Sequence, residues 1–238
     1  MFKIKILTFL AFLSLKGTLS YSQNNKEAAL YYLIDKELST GNALVNNGKF
    51  HINVDNTFEN EHRYFLENKV YTEEIKFDNE VYFNNKIKYD LFKDDLVINP
   101  ENQSDKLFII LDKTRVNHFT IQNRKFVKLQ LTKDGPLQYV EESINTKNFM
   151  FYIKFRKTDK EVIRENGVFV SYSDDNKYFV LLNKNLYEIT SKKSVLKLFP
   201  EFKSEINDYY KFYRSLEKEN NVKFMENLML TIKKSFHN

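Results

Sequence analysis

The stretch that most constrains this chain runs from Val70 to Asn99, VYTEEIKFDNEVYFNNKIKYDLFKDDLVIN. Tyr71, Ile75 and Phe77 alternate with Thr72, Glu74 and Lys76. After the turn-forming pair Asp78-Asn79, the odd positions Val81, Phe83, Ile87, Tyr89 and Leu91 continue the apolar phase against Asn84, Lys86, Lys88 and Asp90. Lys93-Asp94-Asp95 then turns the chain into Leu96-Val97-Ile98. A period of two in β-branched and aromatic residues predicts adjacent antiparallel strands with one face buried. The signal concerns fold and carries no chemistry.

Residues 1–22 have the layout of a secretory signal peptide. Lys3 and Lys5 form a positive start, Ile6 to Leu15 is apolar, and Ser20-Tyr21-Ser22 puts small residues at the −3 and −1 positions. The apolar run is too short for a helix to cross a bilayer core of ~30 Å. Cleavage is expected before Gln23, with no transmembrane segment left once the signal is removed. Losing Lys3, Lys5 and Lys16 takes the 37 basic residues to 34 against 32 acidic ones, a net charge of +2. A chain so near neutrality has no field for nucleic acid or anionic lipid. The absence of cysteine excludes disulfides, thiol catalysis and thiolate-bound zinc. It also argues for a released protein, periplasmic or extracellular, instead of an acyl-anchored one. From Gln23 the chain is long enough to bury a core without staples.

Phe (22) and Tyr (15) are abundant, Trp is absent, and Gly numbers only 5. Phe, Tyr, Lys, Asn and Ile share AT-rich codons, a plainer reason for the excess than a carbohydrate-stacking surface. With Gly scarce, Asn is the residue expected at positive-φ turn positions.

Glu27 to Leu38 reads as a short helix or, nearly as well, a first strand. Ala43 to Val54 reads as a strand pair turning at Asn46-Asn47-Gly48, and 55–68 as a polar loop. Beyond a Pro-containing loop at 99–105, Leu107 to Leu111 is a short strand. Val116 to Leu131 is a second hairpin, with Asn123 at positive φ. Leu137 to Ile144 and Phe149 to Phe155 follow as strands. Val168 to Tyr172 and Tyr178 to Leu182 flank the polar loop 173–177, and Leu186 to Thr190 is the last strand. At Ser191 the period changes. Phe199, Phe202, Ile206, Tyr209, Tyr213 and Leu216 form one helical stripe; Val222, Met225, Leu228, Met229, Ile232 and Phe236 form another.

The expected fold is mainly β (α+β). About eight to ten antiparallel strands form a curved sheet, sandwich or partial barrel with C-terminal helices packed on it. Residues 23–190 make the β domain and 191–238 a helical segment of the same domain. An outer-membrane barrel fits a helical C-terminus poorly.

No catalytic, cofactor-binding or metal-ligating constellation stands out. His51, His62, His118 and His237 lack metal-ligand spacing. His62 with Glu59 and Glu61 is the one His–carboxylate cluster, in a stretch that reads as a solvated loop. His118 alternates with Val116 and Thr120 as a sheet histidine. Asp94-Asp95 and Asp174-Asp175 suit turns, and Glu141-Glu142 points to opposite faces of a strand.

Two runs resemble an uncharacterised family of secreted β-rich proteins from Bacteroidetes-type bacteria. They are YxxxIKFDNxVYFNNxIKYDLFKDDLVI, ending at Ile98, and ITSKKSVLKLFPEFKSEINDY, from Ile189 to Tyr209. The family usually has Gly at the position of Asn79 and Asn-Gly near Asn123. The resemblance implies export and a β-rich fold. It implies no activity and no catalytic residues. The expected function is a non-catalytic exported binding or scaffolding module whose partner is an envelope protein, lipid or glycan. The alternatives are a periplasmic carrier of lipid or lipoprotein and, less favoured, a glycan hydrolase.

Overall fold

The structure is a computed structural model that describes residues 48–100 and 106–236. Among these, the chain forms thirteen strands followed by C-terminal helices. The expected segments at 27–38, 43–47 and most of the loop at 99–105 lie outside the described residues, as does the signal peptide expected at 1–22.

The long hub stretch supplies β2 (Tyr71–Phe77), β3 (Glu80–Asp90) and β4 (Asp95–Asn99). Asp78 and Asn79 both take positive φ, 51° and 68°, the backbone that a two-residue hairpin turn needs. Gln122-Asn123 does the same between β6 (Val116–Ile121) and β7 (Arg124–Gln130), and Asn183-Lys184 between β12 (Lys177–Leu182) and β13 (Asn185–Ile189). The single apolar phase expected through β3 is broken. Glu73 pairs with Asn85 but Ile75 pairs with Tyr82, so β3 carries an extra residue, and Asn84 sits at φ 57°. This bulge flips the faces. Tyr82 turns inward against Phe77 while Val81 turns outward. Only from Ile87 onward do the odd positions point to the core.

The main sheet has eleven strands in the order β1-β5-β4-β3-β2-β6-β7-β8-β9-β12-β13, all antiparallel and not closed. β1 is Lys49–Phe50 and β5 is Ile109–Ile110, shorter than the 107–111 strand expected. β8 (Leu137–Asn145) and β9 (Met150–Lys154) match the sequence reading. β3 and β8 are four places apart in the sheet, yet Tyr89 packs edge-on against Tyr139 at 5.8 Å. The sheet therefore curls on itself. Its interior is filled by Tyr89, Tyr139, Phe126 and Phe119, the last two stacked at 4.9 Å.

The curl is fastened by charge. Asp94, in the β3–β4 turn at φ 60°, accepts from Tyr89 Oη at 2.6 Å, from Lys113 Nζ at 2.6 Å and from the buried Lys154 ammonium. Lys154 also donates to the Tyr139 carbonyl at 3.1 Å. Burial pulls the Lys154 ammonium below its usual range, against the opposing pull of Asp94. Such a buried pair is strongly destabilising to break on one side only.

One correction concerns 157–182. The sequence reading set 168–172 against 178–182 and assigned no strand to 157–164. Instead β10 (Lys157–Arg164) pairs with β11 (Gly167–Asp174) as a separate two-stranded arm, while β12 lies between β9 and β13. The loop 55–68 is also not merely solvated. Arg63, Tyr64 and Phe65 are buried, and Thr57 bridges to Val170 of the arm.

Ser191 caps α1 (Lys192–Leu198) in a reciprocal pair with Ser194. Pro200 starts a 3₁₀ turn, Pro200–Phe202, leading into α2 (Lys203–Phe212). The first stripe is interrupted at Tyr213, which is half exposed, before α3 (Arg214–Glu219). Asn220 caps the long α4 (Asn221–Ser235) through the Lys223 amide at 2.9 Å. Phe149, just before β9, meets Phe199 at 5.3 Å, and Phe224, Leu228, Met229 and Ile232 of α4 are fully buried in the same core as the strands. No helix among the described residues is long and apolar enough to cross a membrane.

Candidate functional site

The first turns of α4 stand beside the open mouth of the curled sheet and leave a cleft of about 540 Å³. Phe65, Leu91 and Phe155 supply apolar wall, while Arg124, Lys157, Asp174, Lys223 and Glu226 supply charge. Arg124 opens β7, directly after the Gln122-Asn123 turn, so the hairpin geometry places it at the strand end. Its Nη1 donates to Glu141 Oε2 at 2.6 Å and to Glu226 Oε1 at 2.7 Å. One guanidinium nitrogen thus ties β8 to the last helix. Glu141 is buried, and that burial pushes its carboxyl up to about 7 despite the opposing pull of Arg124. Lys157 donates to the His62 carbonyl at 2.7 Å and is lowered by burial. The cleft presents fixed charges of both signs over aromatic wall. It can hold a ligand of mixed polar and apolar character.

A second polar cluster lies at the outer end of β3. Arg63 Nε stands 2.8 Å from Asp90 Oδ2, an ion pair by distance without the alignment of a hydrogen bond. Its Nη1 donates to Asp55 at 3.0 Å, and the Tyr172 hydroxyl donates to the same carboxylate. His51 Nε2 is 3.0 Å from the Tyr64 hydroxyl and 3.9 Å from Asp90, and burial lowers its pKa. Asp90 Oδ1 accepts from the Phe92 and Lys93 amides at 3.0 Å each. These groups pair with one another, Arg63 Nε and Asp90 Oδ2 by charge alone, and knit 51–65 and the arm to the sheet.

The residues weighed in sequence fall apart spatially. His62 takes the Tyr64 amide on Nδ1 at 3.2 Å, whereas Glu61 accepts from the Tyr172 amide at 3.0 Å; the cluster with Glu59 is not assembled as a site. His118 sits 3.9 Å from Glu74 at the sheet surface, lowered by burial. Asp175 pairs with Arg156 at 3.0 Å. Glu141 faces Arg124 and Glu142 faces Lys125, on opposite sides as expected. His237 lies outside the described residues. Among the described residues no three His, Asp or Glu converge as metal donors. Sequence reasoning missed Arg124, and it left Asp94 as a turn residue and His51 without a role. Their partners are 17 to 102 residues distant for Arg124 and up to 60 for Asp94, so no local spacing could have marked them.

No protein-family model matches this chain, and no curated protein or solved structure is significantly similar to it.

Proposed function

We propose that this chain is an exported, non-catalytic binding module that seats its ligand in the cleft beside α4. The observation that carries the reading is the cleft itself, where fixed charges of both signs stand over an aromatic wall. A leader-type segment at 1–22 and the family resemblance support export. The space beneath the helices is filled by Phe149, Phe199, Phe224 and Leu228, which weighs against a lipid carrier with a deep apolar cavity. A ligand carrying both charge signs along a short apolar backbone, such as an envelope peptide or the peptide stem of a glycan, matches the cleft best.

The test is isothermal titration of the full chain from Gln23 with a mixed muropeptide fraction and with an extended peptide library. Saturable binding lost in Lys223→Glu is expected. Mass spectrometry of the recovered probes should find them unchanged; cleaved probe overturns the non-catalytic reading. Failure of both probes to bind, with the fold intact, overturns the cleft as the site.

A further inference from the structure

Arg124 meets the cleft with most of its donors open. A guanidinium carries five N–H donors in a planar fork. Glu141 and Glu226 both bond to one nitrogen, Nη1, at 2.6 and 2.7 Å. That leaves the edge formed by Nε and Nη2. Among the described residues neither atom has a hydrogen-bond partner, and neither is buried away from solvent. The two carboxylates act as a mount, one from β8 and one from α4, holding the group from a single corner. The guanidinium carbon lies 5.8 Å over the Phe155 ring, part of the cleft's apolar wall. The Nε–Nη2 edge is a pair of parallel donors that matches the two oxygens of a carboxylate.

A second cation stands beside it. Lys223 precedes Glu226 by three residues on α4, so the two share a helix face. The charges lining the cleft favour an anion: Arg124, Lys157 and Lys223 against Asp174 and Glu226. A terminal peptide carboxylate brings two oxygens for the fork and, one carbon away, a side chain for the wall of Phe65, Leu91 and Phe155. An acidic sugar brings the carboxylate but surrounds it with hydroxyls that an apolar wall cannot bond. We propose that the cleft binds peptides by their C-terminal carboxylate, received on the Nε–Nη2 edge of Arg124 with Lys223 alongside. This rests on the cleft being the binding site and adds which chemical group it recognises. Glu141 is a positioning residue that grades the affinity. It is faced by Arg124 from β7 and Glu226 from α4, while its ladder partners Phe126 and Ile153 carry no charge. Burial pushes its carboxyl up to about 7. Below that, Glu226 alone balances Arg124 and the cleft keeps its excess positive charge. Above it, a second carboxylate on the same nitrogen cancels the excess, so affinity for an anion falls as pH rises through 7.

The probes are a library of short N-acetylated peptides made twice, once with free C-terminal carboxylates and once as C-terminal amides, so that the two series differ in one charge. Titrated into the full chain from Gln23 at pH 6.5, the acids should bind roughly tenfold tighter than the amides, the scale of a charge-assisted pair. The window starts above His62, whose pKa is lowered by burial. By pH 8 the acids should weaken about threefold, and Glu141→Gln should hold the tighter value at both ends. Arg124→Lys keeps the cation without the fork and should bring the acids down to the amides' affinity. Should that variant unfold, the acid–amide comparison and the Glu141→Gln profile still decide. Acids and amides binding equally, or an acid affinity that still falls with pH in Glu141→Gln, overturns the proposal and leaves the cleft reading standing. Binding of oligogalacturonate but not of the acids assigns the site to acidic sugars and overturns it likewise. Binding of neither peptide series nor the sugar overturns both.

Discussion

Two hairpins of this molecule invite comparison. The hub, β2–β3, and the arm, β10–β11, are both antiparallel hairpins joined by tight turns, the arm's ladder unbroken and the hub's interrupted by the bulge in β3. In the hub Tyr71, Ile75, Phe77, Ile87 and Tyr89 are buried, and the sequence alternates accordingly. In the arm no residue is fully buried, and KTDKEVIR shows no apolar period. What steadies the arm is the segment 56–58 laid along it: the Val170 amide donates to the Asn56 carbonyl at 2.8 Å, and Phe58 stacks on Phe169 at 4.8 Å. Period-two patterning thus records which strands bury a face. It does not record which segments are strands.

The contrast can be broken most severely at the helices that share the hub's core. Cutting the chain after Thr190 removes Val195, Phe199, Phe224, Leu228 and Ile232 from the common core. The 23–190 fragment should aggregate; a soluble fragment with a cooperative melt by circular dichroism would make the helices a detachable lid. Within the sheets, Tyr89→Ala should cost ~3–5 kcal/mol, because a buried aromatic leaves a cavity. Phe169→Ala in the arm should cost only about 1 kcal/mol, the scale of one aromatic pair, and Ile163→Ala within about 0.5 kcal/mol. Equal losses in urea melts would mean that the arm is as integral as the hub.

A smaller effect separates the buried charges by pH. Folded Glu141 titrates near 7, above its ordinary 4.5, so the folded chain holds a proton that the unfolded chain releases. Its contribution is full below pH 4.5 and is lost as pH rises through 7. His51, His62 and His118, all lowered by burial, act in the opposite sense: they stabilise above 6.5 and lose that as pH falls. Wild type minus Glu141→Gln isolates the carboxyl. That difference in unfolding free energy should fall by about 1–3 kcal/mol between pH 5 and pH 8. A flat difference would mean Glu141 is ionised throughout. A small change is also expected at Lys88, which the strand phase marks as surface. Its ammonium lies 3.7 Å over the Tyr64 ring and is lowered to about 8 by burial. Lys88→Ala should cost about 0.5–1 kcal/mol in urea melts, as a part-desolvated cation–π contact does. No change at all would mean the contact is without net value.

The sequence was legible where one residue's surroundings are its own neighbours. Asn79 and Asn123 stand at positive φ as turn chemistry requires, and Ser191 caps a helix. It was opaque where surroundings are assembled from afar. Val81 and Phe83 followed the apolar phase in sequence, but the bulge at Asn84 decides the face, and a bulge has no periodicity. Tyr213 matched a helical stripe that a break in the helix then interrupts. The cleft joins a β7 terminus, a β9–β10 junction and the start of α4, and nothing in the spacing of Arg124, Lys157 and Lys223 foretold that meeting.

The fastening of the curl also sets an order of events. Asp94 and Lys154 are 60 residues apart, and the strands between them must pair before the two can meet. A chain made from its N-terminus presents Asp94 while its partner is still unmade. The hub hairpin needs only local contacts and forms early; closure of the curl needs distant ones and is slow. Until then the carboxylate stays hydrated, and the lysine is stripped of water only as it arrives beside it. Closure of the curl is then a docking of opposite charges, which high salt should slow while leaving the early hairpin unaffected.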